Sequence, residues 1–265
     1  MFMDRNLSSQ HAESNVEIDK LLAIYVITTK SLPDRHKHID KMLSSLGLRY
    51  EYIWKYDVPD INEKDLSRID PNLPLRSISC LLKHLEAQRL LMGSGLNLAL
   101  VLEDDCIFYP NFKKQLVNLL EYLNKIDSKY LVFLGGGDNK LDEKFLFANP
   151  NSLVESPMTT AEAYIIDRAG CQMRLDWIAT NLISLPADHF LKYIDQKLGI
   201  KHYRPAYPLA TQGSITGKFG TTLDDSRARK SPIFLNLRYK WNRFRNQFLR
   251  RIINRFIKII KHCDK

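Results

Sequence analysis

The sequence predicts an α/β fold with a mostly parallel sheet flanked by helices and a basic, amphipathic helical tail. Apolar, β-branched runs such as LLAIYVITT (21–29) are typical of strands buried on both faces of a parallel sheet. These runs alternate with segments of helical periodicity, which predicts βαβ units. The chain of 265 residues, 45% of them hydrophobic, is long enough to bury one substantial core.

The predicted elements follow from local patterns. The strands are short apolar runs at 21–29, 50–54, 96–105, 129–134, 163–166 and 201–207. The helices carry apolar residues at three- and four-residue spacing and cover 33–47, 76–92, 111–125, 168–180 and 188–198. Pro33 favours a helix start, and Gly47 and Gly93 are expected to end the first two helices. The segments 57–74 and 208–225 are expected to be loops.

Charge divides the chain into three regions. Residues 1–20 are polar and aperiodic and are expected to form a flexible tail. Residues 227–265 hold 13 Lys/Arg against one acid, whereas the rest of the chain holds 26 Lys/Arg against 29 Asp/Glu. We therefore expect a folded domain over 21–225 and a basic appendage over 226–265. A basic appendage on a mildly acidic body argues against nucleic-acid binding spread over the fold, and the tail carries no recognised nucleic-acid motif.

The four cysteines show no CxxC pair and no regular spacing, so neither a zinc site nor a disulfide framework follows from the pattern. A reducing compartment is the simpler interpretation. The N-terminal segment has no apolar core of a signal peptide, and no run reaches the ~18 apolar residues of a membrane span. The expected location is cytoplasmic.

Three consecutive carboxylates, Glu103, Asp104 and Asp105, end the predicted strand at 96–105. Ligands bind at the carboxyl ends of strands in open parallel sheets. Adjacent anions repel one another beside a buried strand unless a cation compensates them, and carboxylate oxygens suit Mg²⁺ or Mn²⁺. The alternative is a solvated acidic turn that merely ends the strand. We favour the metal site because the acids directly follow a long apolar run.

Other phosphate-binding and hydrolytic motifs are absent. No GxxxxGK[ST] occurs, no GxGxxG follows the first strand, and no G-x-S-x-G elbow is present. The GGGD run at 135–138 precedes no helix start and is expected to be a tight loop.

The segment SISCLLKHLEAQRLLMGSGLNLALVLEDD (77–105) resembles glycosyltransferase family 25, the lipopolysaccharide and lipooligosaccharide galactosyltransferases with collagen-modifying relatives. That family shows a Cys-x-x-Ser-His helix followed by a strand that ends in an acidic triplet. Cys80 and His84 match this pattern, and Lys83 stands in place of the serine. Four further segments resemble the family in the same order: YVITTKSLPDR, TTAEAYIIDRAGC, LPADHFL and YPLATQGS.

The resemblance implies a GT-A type fold with a Rossmann-like sheet, a divalent cation and a UDP-sugar donor, most commonly of galactose, with inversion at the anomeric carbon. It implies metal binding by Glu103 and Asp105. The donor-binding residues that it implies lie in the matching segments and are Thr28, Arg35, Lys83, His84, Asp104 and Gln212. Asp104 is expected to contact the sugar or ribose. From the residues alone, Arg35 in a first helical turn and His84 one turn after Cys80 would also suit structural roles.

An inverting transfer requires a base for the acceptor hydroxyl, and a carboxylate is the usual choice. Asp188 is the first candidate; the alternative is that it only caps a helix N-terminus after Pro186. Glu162, just ahead of the strand at 163–166, is the second candidate.

The tail segment WNRFRNQFLRRIINRFIKIIKH (241–262) predicts a basic amphipathic helix with aromatic residues on its apolar side. Such a helix suits an anionic membrane surface, and the alternative is that its apolar stripe packs on the domain. The leading function is a transferase that is peripheral on the inner face of the cytoplasmic membrane and acts on a lipid-linked oligosaccharide. The competing function is a non-catalytic peripheral membrane protein that keeps the fold and binds sugar nucleotide or lipid.

Overall fold

A computed structural model describes residues 18–126, 129–135, 143–146, 148–149, 152–158, 160–221 and 230–263. Its strands are β1 Leu22–Ile27, β2 Glu51–Ile53, β3 Leu98–Glu103, β4 Cys106–Phe108, β5 Tyr130–Phe133, β6 Leu153–Glu155, β7 Ala163–Asp167, β8 Lys201–Pro205 and β9 Ala210–Gln212. Its helices are α1 Pro33–Ser45, α2 Glu63–Leu66, α3 Leu75–Ser94, α4 Phe112–Leu123, α5 Glu143–Leu146, α6 Arg168–Thr180, α7 Ala187–Leu198, α8 Gly213–Thr216 and α9 Pro232–Cys263.

Seven strands form one sheet in the order β2-β1-β3-β7-β5-β8-β6, and β4 pairs with β9 in a separate ribbon. Within the described residues, the parallel pairs β1–β2, β1–β3 and β5–β8 share one direction, and only β6 and β7 run against it. The predicted α/β class with a mostly parallel sheet is therefore confirmed.

Strand β7 lies antiparallel between β3 and β5, with Leu102 opposite Ala163. This register brings Glu162, the residue before β7, to the edge of the sheet at which β3 ends. The expectation of simple βαβ units did not include this reversal, because strand direction is decided by pairing partners far away in sequence.

Helices cover both faces of the sheet. On one face, β1 residues Leu22, Ile24 and Val26 pack with α1 and α4. On the other face, Tyr25 and Ile27 pack with α3, α6 and α7. This alternation has the period of two that a strand requires, and it explains why β1 is apolar throughout.

Several predicted boundaries change. Helix α3 runs through Gly93 and ends before Gly95, which has a positive φ of 77°. The predicted loop at 57–74 contains a 3₁₀ turn and α2, whose first turn Asn62 caps. The predicted loop after β8 contains β9 and α8, and residues 222–229 lie outside the described residues.

The N-terminal boundary also differs from residue 21. Ile18 is buried in the core against the α1 and α4 face, so the packed part of the chain includes residues before 21. The rest of the predicted tail, 1–17, and most of the GGGD run lie outside the described residues.

Candidate functional site

The acidic triplet lies where β1 and β3 end side by side. Glu103 is the last residue of β3 and lies opposite Ile27, the last residue of β1. The next two residues form a tight turn into β4, and the backbone N–H of Asp104 donates to the carbonyl of Ile27 at 3.0 Å. The carboxyl ends of two parallel strands therefore present the triplet at one edge of the sheet.

Asp104 is held by the chain itself. Thr28 Oγ1 donates to Asp104 Oδ2 at 2.7 Å, and Arg35 Nη1 donates to Asp104 Oδ1 at 2.7 Å. The second terminal nitrogen of Arg35 donates to the carbonyl of Gly220, and its guanidinium lies 5.7 Å from the centre of the Phe219 ring. Arg35 is therefore a partly buried partner of the triplet rather than a solvated first-turn arginine. The donor contacts expected of Thr28, Arg35 and Asp104 stay predictions.

Asp105 is 1% exposed and only half satisfied. The Ser214 N–H donates to its Oδ2 at 3.0 Å, whereas Oδ1 is buried and has no hydrogen-bond partner among the described residues. The Gly213 N–H donates to the Asp105 carbonyl at 2.7 Å, and a Cβ at Gly213 would lie 2.7 Å from that carbonyl oxygen. Glycine at 213 thus allows α8 to approach the triplet closely.

Glu103 connects two segments that the sequence alone could not place together. Gln212 Nε2 donates to Glu103 Oε2 at 2.9 Å, and Glu103 Oε1 lies 3.7 Å from His84 Nε2. Gln212 reaches this position because β9 pairs with β4, with Gln212 opposite Cys106. The structure therefore brings Glu103, Gln212 and His84 together, and their donor contacts stay predictions.

Glu162 is the fourth carboxylate at this edge. Its carbonyl accepts from the Glu103 N–H at 2.9 Å, which is the direct consequence of the antiparallel β7. Its side chain is 2% exposed, and Oε1 has no partner among the described residues. A Cβ at position 135 would lie 1.9 Å from that oxygen, so glycine there makes room for Glu162.

Burial and mutual repulsion weaken the acidity of this cluster. Burial raises the pKa of Glu162 to about 7, and the charges of Glu103 and Asp105 add to the effect. Burial and then the neighbouring Asp104 raise the pKa of Glu103, and burial and then Glu103 raise the pKa of Asp105. A bound cation would relieve both the desolvation and the repulsion.

Helix α3 contributes Lys83 and His84, both buried. The Lys83 ammonium donates to the Asp57 carboxylate and to the Thr28 carbonyl, so its charge is compensated within the chain. Burial lowers the pKa of His84 to about 4, which keeps the ring neutral near pH 7. Its Nδ1 hydrogen-bonds the Tyr164 hydroxyl at 2.7 Å. Asp57 and Tyr164 were not identified from the sequence, since neither lies in a pattern that separates it from ordinary loop or strand residues.

Asp188 lies in the first turn of α7, two residues after Pro186, which is the N-cap. It is therefore not the capping residue, although its carboxylate accepts from the following His189 N–H at 2.9 Å. Burial is the main cause of the raised pKa values of Glu103 and Cys80, and the negative charge of Asp188 adds to it. At His84, burial lowers the pKa and the charge of Asp188 opposes that lowering. Asp188 is half-buried and Glu162 fully buried, so the two candidate bases differ in access.

The residues predicted to hold a divalent cation fit one that takes two carboxylates and completes its shell with substrate phosphates. Asp105 offers the buried, unpartnered Oδ1, and Glu103 lies at the same edge. Within the described residues, the group that brings three ligand atoms within 4.8 Å of one another consists of Cys80, His84 and Glu103, and it does not include Asp105.

Helix α9 is longer than predicted, and it packs on the domain through a polar face. Asn236 donates to the Thr216 carbonyl at 3.1 Å, the Tyr239 and Tyr109 hydroxyls hydrogen-bond each other, and the Arg243 guanidinium lies over the Tyr109 ring. The opposite stripe is 52–63% exposed and consists of Phe234, Leu237, Trp241, Phe244 and Phe248. The helix therefore keeps its apolar stripe away from the domain.

No helix in the described ranges is both long and apolar enough to cross a membrane.

A pocket of about 700 Å³ lies between α9 and the β4–β9 ribbon, and its lining includes Tyr109, Lys218, Tyr239 and Arg243.

The fold and the edge cluster define an α/β protein with a buried anionic site at its strand ends. Residues 21–191 match the model of a family described as "Glycosyltransferase family 25 (LPS biosynthesis protein)". The chain belongs to glycosyltransferase family 25, and the predicted family is confirmed.

Two curated relatives carry the name "Glycosyltransferase 25 family member". The one from Drosophila melanogaster is 21% identical over 220 residues, which are 77% of this chain and 35% of that protein. The one from Aedes aegypti is 24% identical over 167 residues, which are 58% of this chain and 28% of that protein. The chain thus spans about a third of the length of these relatives.

Two solved structures align with most of this chain at low sequence identity. A glycosyltransferase involved in the glycosylation of the major capsid of PBCV-1 aligns with 84% of this chain and 99% of its own, at 10% identity and a TM-score of 0.39. The A197 protein from STIV aligns with 72% of this chain and 83% of its own, at 12% identity and a TM-score of 0.36.

Proposed function

We propose that this chain is a metal-dependent, inverting glycosyltransferase of GT-A type that moves a hexose from a UDP-sugar to a lipid-linked oligosaccharide. Galactose is the expected sugar and lipopolysaccharide or lipooligosaccharide the expected acceptor class. Family membership supports the transferase class. The observation that carries the site is the buried Asp105 Oδ1, which has no hydrogen-bond partner within the described ranges and lies among carboxylates whose pKa values are raised. Polar atoms in that state are costly unless a ligand satisfies them.

Glu103 and Asp105 would hold Mn²⁺ or Mg²⁺ together with the donor diphosphate. The cation, when bound, supplies positive charge against the charge that develops on the leaving UDP. Gln212 fixes the Glu103 carboxylate by donating to Oε2, and Ser214 fixes Asp105 through its backbone N–H. The β9–α8 segment therefore positions both ligands, although it lies about 110 residues after β3 in the chain.

In this proposal the donor lies against three hydrogen-bonded side chains, those of Arg35, Thr28 and Asp104. Their hydrogen bonds tie the segment after β1 to the turn after β3. His84 is neutral near pH 7, because burial lowers its pKa to about 4, and it would contact the donor by hydrogen bonding rather than by charge. Lys83 would support the donor site indirectly, because its ammonium donates to the Asp57 carboxylate and to the Thr28 carbonyl.

Asp188 is the proposed base. In the transfer, its carboxylate removes the proton from the acceptor hydroxyl as the oxygen attacks the anomeric carbon and the bond to the leaving phosphate oxygen breaks. Its half-exposed position in the first turn of α7 favours it over Glu162, whose carboxyl group is enclosed beside Gly135. Glu162 remains the second candidate.

Helix α9 supports a membrane-borne acceptor. Its aromatic stripe is exposed while its polar face packs on the domain, and Lys and Arg flank the stripe. A helix of this kind binds anionic membrane surfaces through apolar burial and about 1 kcal/mol for each surface cation. The exposed stripe supports the proposal that the enzyme is peripheral on the inner face of the cytoplasmic membrane.

The test is consumption of a panel of UDP-sugars with Mn²⁺ or Mg²⁺, with and without a chelator. We expect one donor to be hydrolysed or transferred, loss of turnover with chelator, and loss with Asp105→Asn. Asp176→Asn, an exposed aspartate on α6, is the matched control and should keep wild-type turnover. The proposal is wrong if no donor is consumed, or if Asp105→Asn is as active as the control. A protein that only binds sugar nucleotide would retain donor without turnover.

A further inference from the structure

Helix α3 brings a thiol and an imidazole to the acidic edge of the sheet. Cys80 and His84 are one helical turn apart and therefore share a face of the helix. Each offers one ligand atom within 4.8 Å of the other and of a carboxylate oxygen of Glu103. The pairing is independent of Asp105, which is not part of this group.

His84 is buried, and one of its ring nitrogens has no hydrogen-bond partner in the part of the chain that the structure describes. The side chain is 1% exposed, and Nε2 has no hydrogen-bond partner among the described residues. Nε2 faces Glu103 Oε1 at 3.7 Å, which is beyond hydrogen-bond distance. The other ring nitrogen, Nδ1, is engaged by the Tyr164 hydroxyl at 2.7 Å. A histidine held through one nitrogen with the other left open has the arrangement of a metal ligand with its outer-shell partner.

The ligand types select the metal. Thiolate and imidazole suit Zn²⁺, whereas Mn²⁺ and Mg²⁺ prefer oxygen. Nitrogen and oxygen ligands at 2.0–2.1 Å from a tetrahedral zinc lie about 3.4 Å apart. The 3.7 Å between His84 Nε2 and Glu103 Oε1 is close to this spacing, so a small side-chain adjustment would complete the geometry.

We infer that Cys80, His84 and Glu103 form a Zn²⁺ site in the wall of the proposed donor cleft, with the fourth position open to water or a ligand. Binding of zinc does not depend on the proposed transferase activity. The site shares Glu103 with the proposed Mn²⁺ or Mg²⁺ site, and zinc would therefore compete for that carboxylate. The consequence, should the chain be a transferase, is inhibition of transfer by zinc.

The test measures metal binding rather than activity. The full-length protein, stripped of metal, is titrated with Zn²⁺ by calorimetry and with Co²⁺ by absorption spectroscopy, because a thiolate bound to Co²⁺ gives a charge-transfer band. The variants are Cys80→Ala and His84→Gln, and the matched control is Cys171→Ala, a buried cysteine outside the cluster.

We expect one zinc per chain, a thiolate–Co²⁺ band, at least a tenfold weaker affinity in both cluster variants, and unchanged affinity in Cys171→Ala. Two results would overturn the inference: absence of a thiolate–Co²⁺ band in the wild-type protein, or equal zinc affinity for wild type and folded Cys80→Ala. Absence of the band in the wild-type protein overturns the inference even where a variant does not fold. Zinc binding without UDP-sugar turnover would refute the proposed function and leave the zinc site standing.

Discussion

Arg35 Nη1 donates to Asp104 Oδ1 at 2.7 Å, and this ion pair joins the first turn of α1 to the turn that follows β3. Both side chains are nearly inaccessible, with 13% and 6% of their surface exposed. The pair therefore fixes the central residue of the acidic triplet before any donor binds.

Arg35→Ala should lower the free energy of unfolding by about 2–4 kcal/mol, because it leaves the buried Asp104 carboxylate with one partner fewer. Urea denaturation of the purified protein measures this change. Lys37→Ala is the control on the same helix, since its ion pair with Asp34 is exposed, and it should cost about 0.5 kcal/mol or less. Equal effects of the two substitutions would contradict a structural role for the Arg35 pair. The double variant Arg35→Ala/Asp104→Asn should recover part of the loss.

Asp188→Asn should reduce kcat by about 10²–10⁴-fold while donor affinity stays near the wild-type value, because a base acts in the transfer step and not in donor binding. Glu162→Gln should leave kcat within about tenfold if Asp188 is the base. Steady-state kinetics with the productive donor and separate donor-binding isotherms measure both effects. The reverse ranking of the two substitutions would assign the base to Glu162.

Glu162 should make the metal-free protein less stable as the pH rises. Its pKa is raised in the folded state from 4.5 to about 7, so the folded state holds its proton in a range where the unfolded chain has lost it. The sign follows from linkage: the contribution is full below pH 4.5 and is lost as the pH rises through about 7. Glu162→Gln should therefore gain stability over wild type by up to about 3 kcal/mol between pH 5 and pH 8. Denaturation curves across this range check it, and a pH-independent difference would argue against a raised pKa.

The buried Arg174–Asp195 pair should stabilise the packing of α7 against α6. Arg174 Nε and Nη2 donate to the two Asp195 oxygens at 2.6 and 2.7 Å, and His202 Nε2 lies 2.7 Å from Asp195 Oδ2. Together with His202, the pair joins α6, α7 and β8. Asp188 lies at the other end of α7. Asp195→Asn should destabilise the protein by about 3–5 kcal/mol, since it leaves a buried guanidinium uncompensated. Thermal melts test this, with the exposed Asp176→Asn as control; similar melting temperatures for both would exclude a structural role.

Replacing Trp241, Phe244 and Phe248 by serine should reduce binding to anionic vesicles by at least tenfold without changing the melting temperature. These side chains are exposed and do not hold α9 to the domain. Co-sedimentation with phosphatidylglycerol vesicles measures binding, and neutral phosphatidylcholine vesicles measure the contribution of charge. Tyr239→Phe, on the face toward the domain, should leave vesicle binding unchanged. Undiminished sedimentation of the triple variant would mean that α9 is not the membrane element.

The sequence could predict the long, locally encoded elements. Strands β1 and β3 and helices α1, α4 and α6 are apparent from apolar runs, helical spacing and end signals, because these patterns depend on neighbours within one or two turns. The short strands β4, β6 and β9 were not predicted, because their pairing is set by partners far away in the sequence. The antiparallel direction of β7 escaped prediction for the same reason.

For the candidate site, the sequence by itself determined which chemistry stands at the end of β3: three carboxylates after an apolar run, with a cysteine and a histidine one turn apart on the preceding helix. The tertiary structure decided how those groups are used. It paired Asp104 with Arg35, left Asp105 Oδ1 without a hydrogen-bond partner among the described residues and turned His84 Nε2 toward Glu103. It also brought Glu162 and Gln212 to the same edge through a reversed strand and a separate ribbon. A residue type and its spacing are local properties, whereas burial, pKa and partners depend on which distant segments pack there.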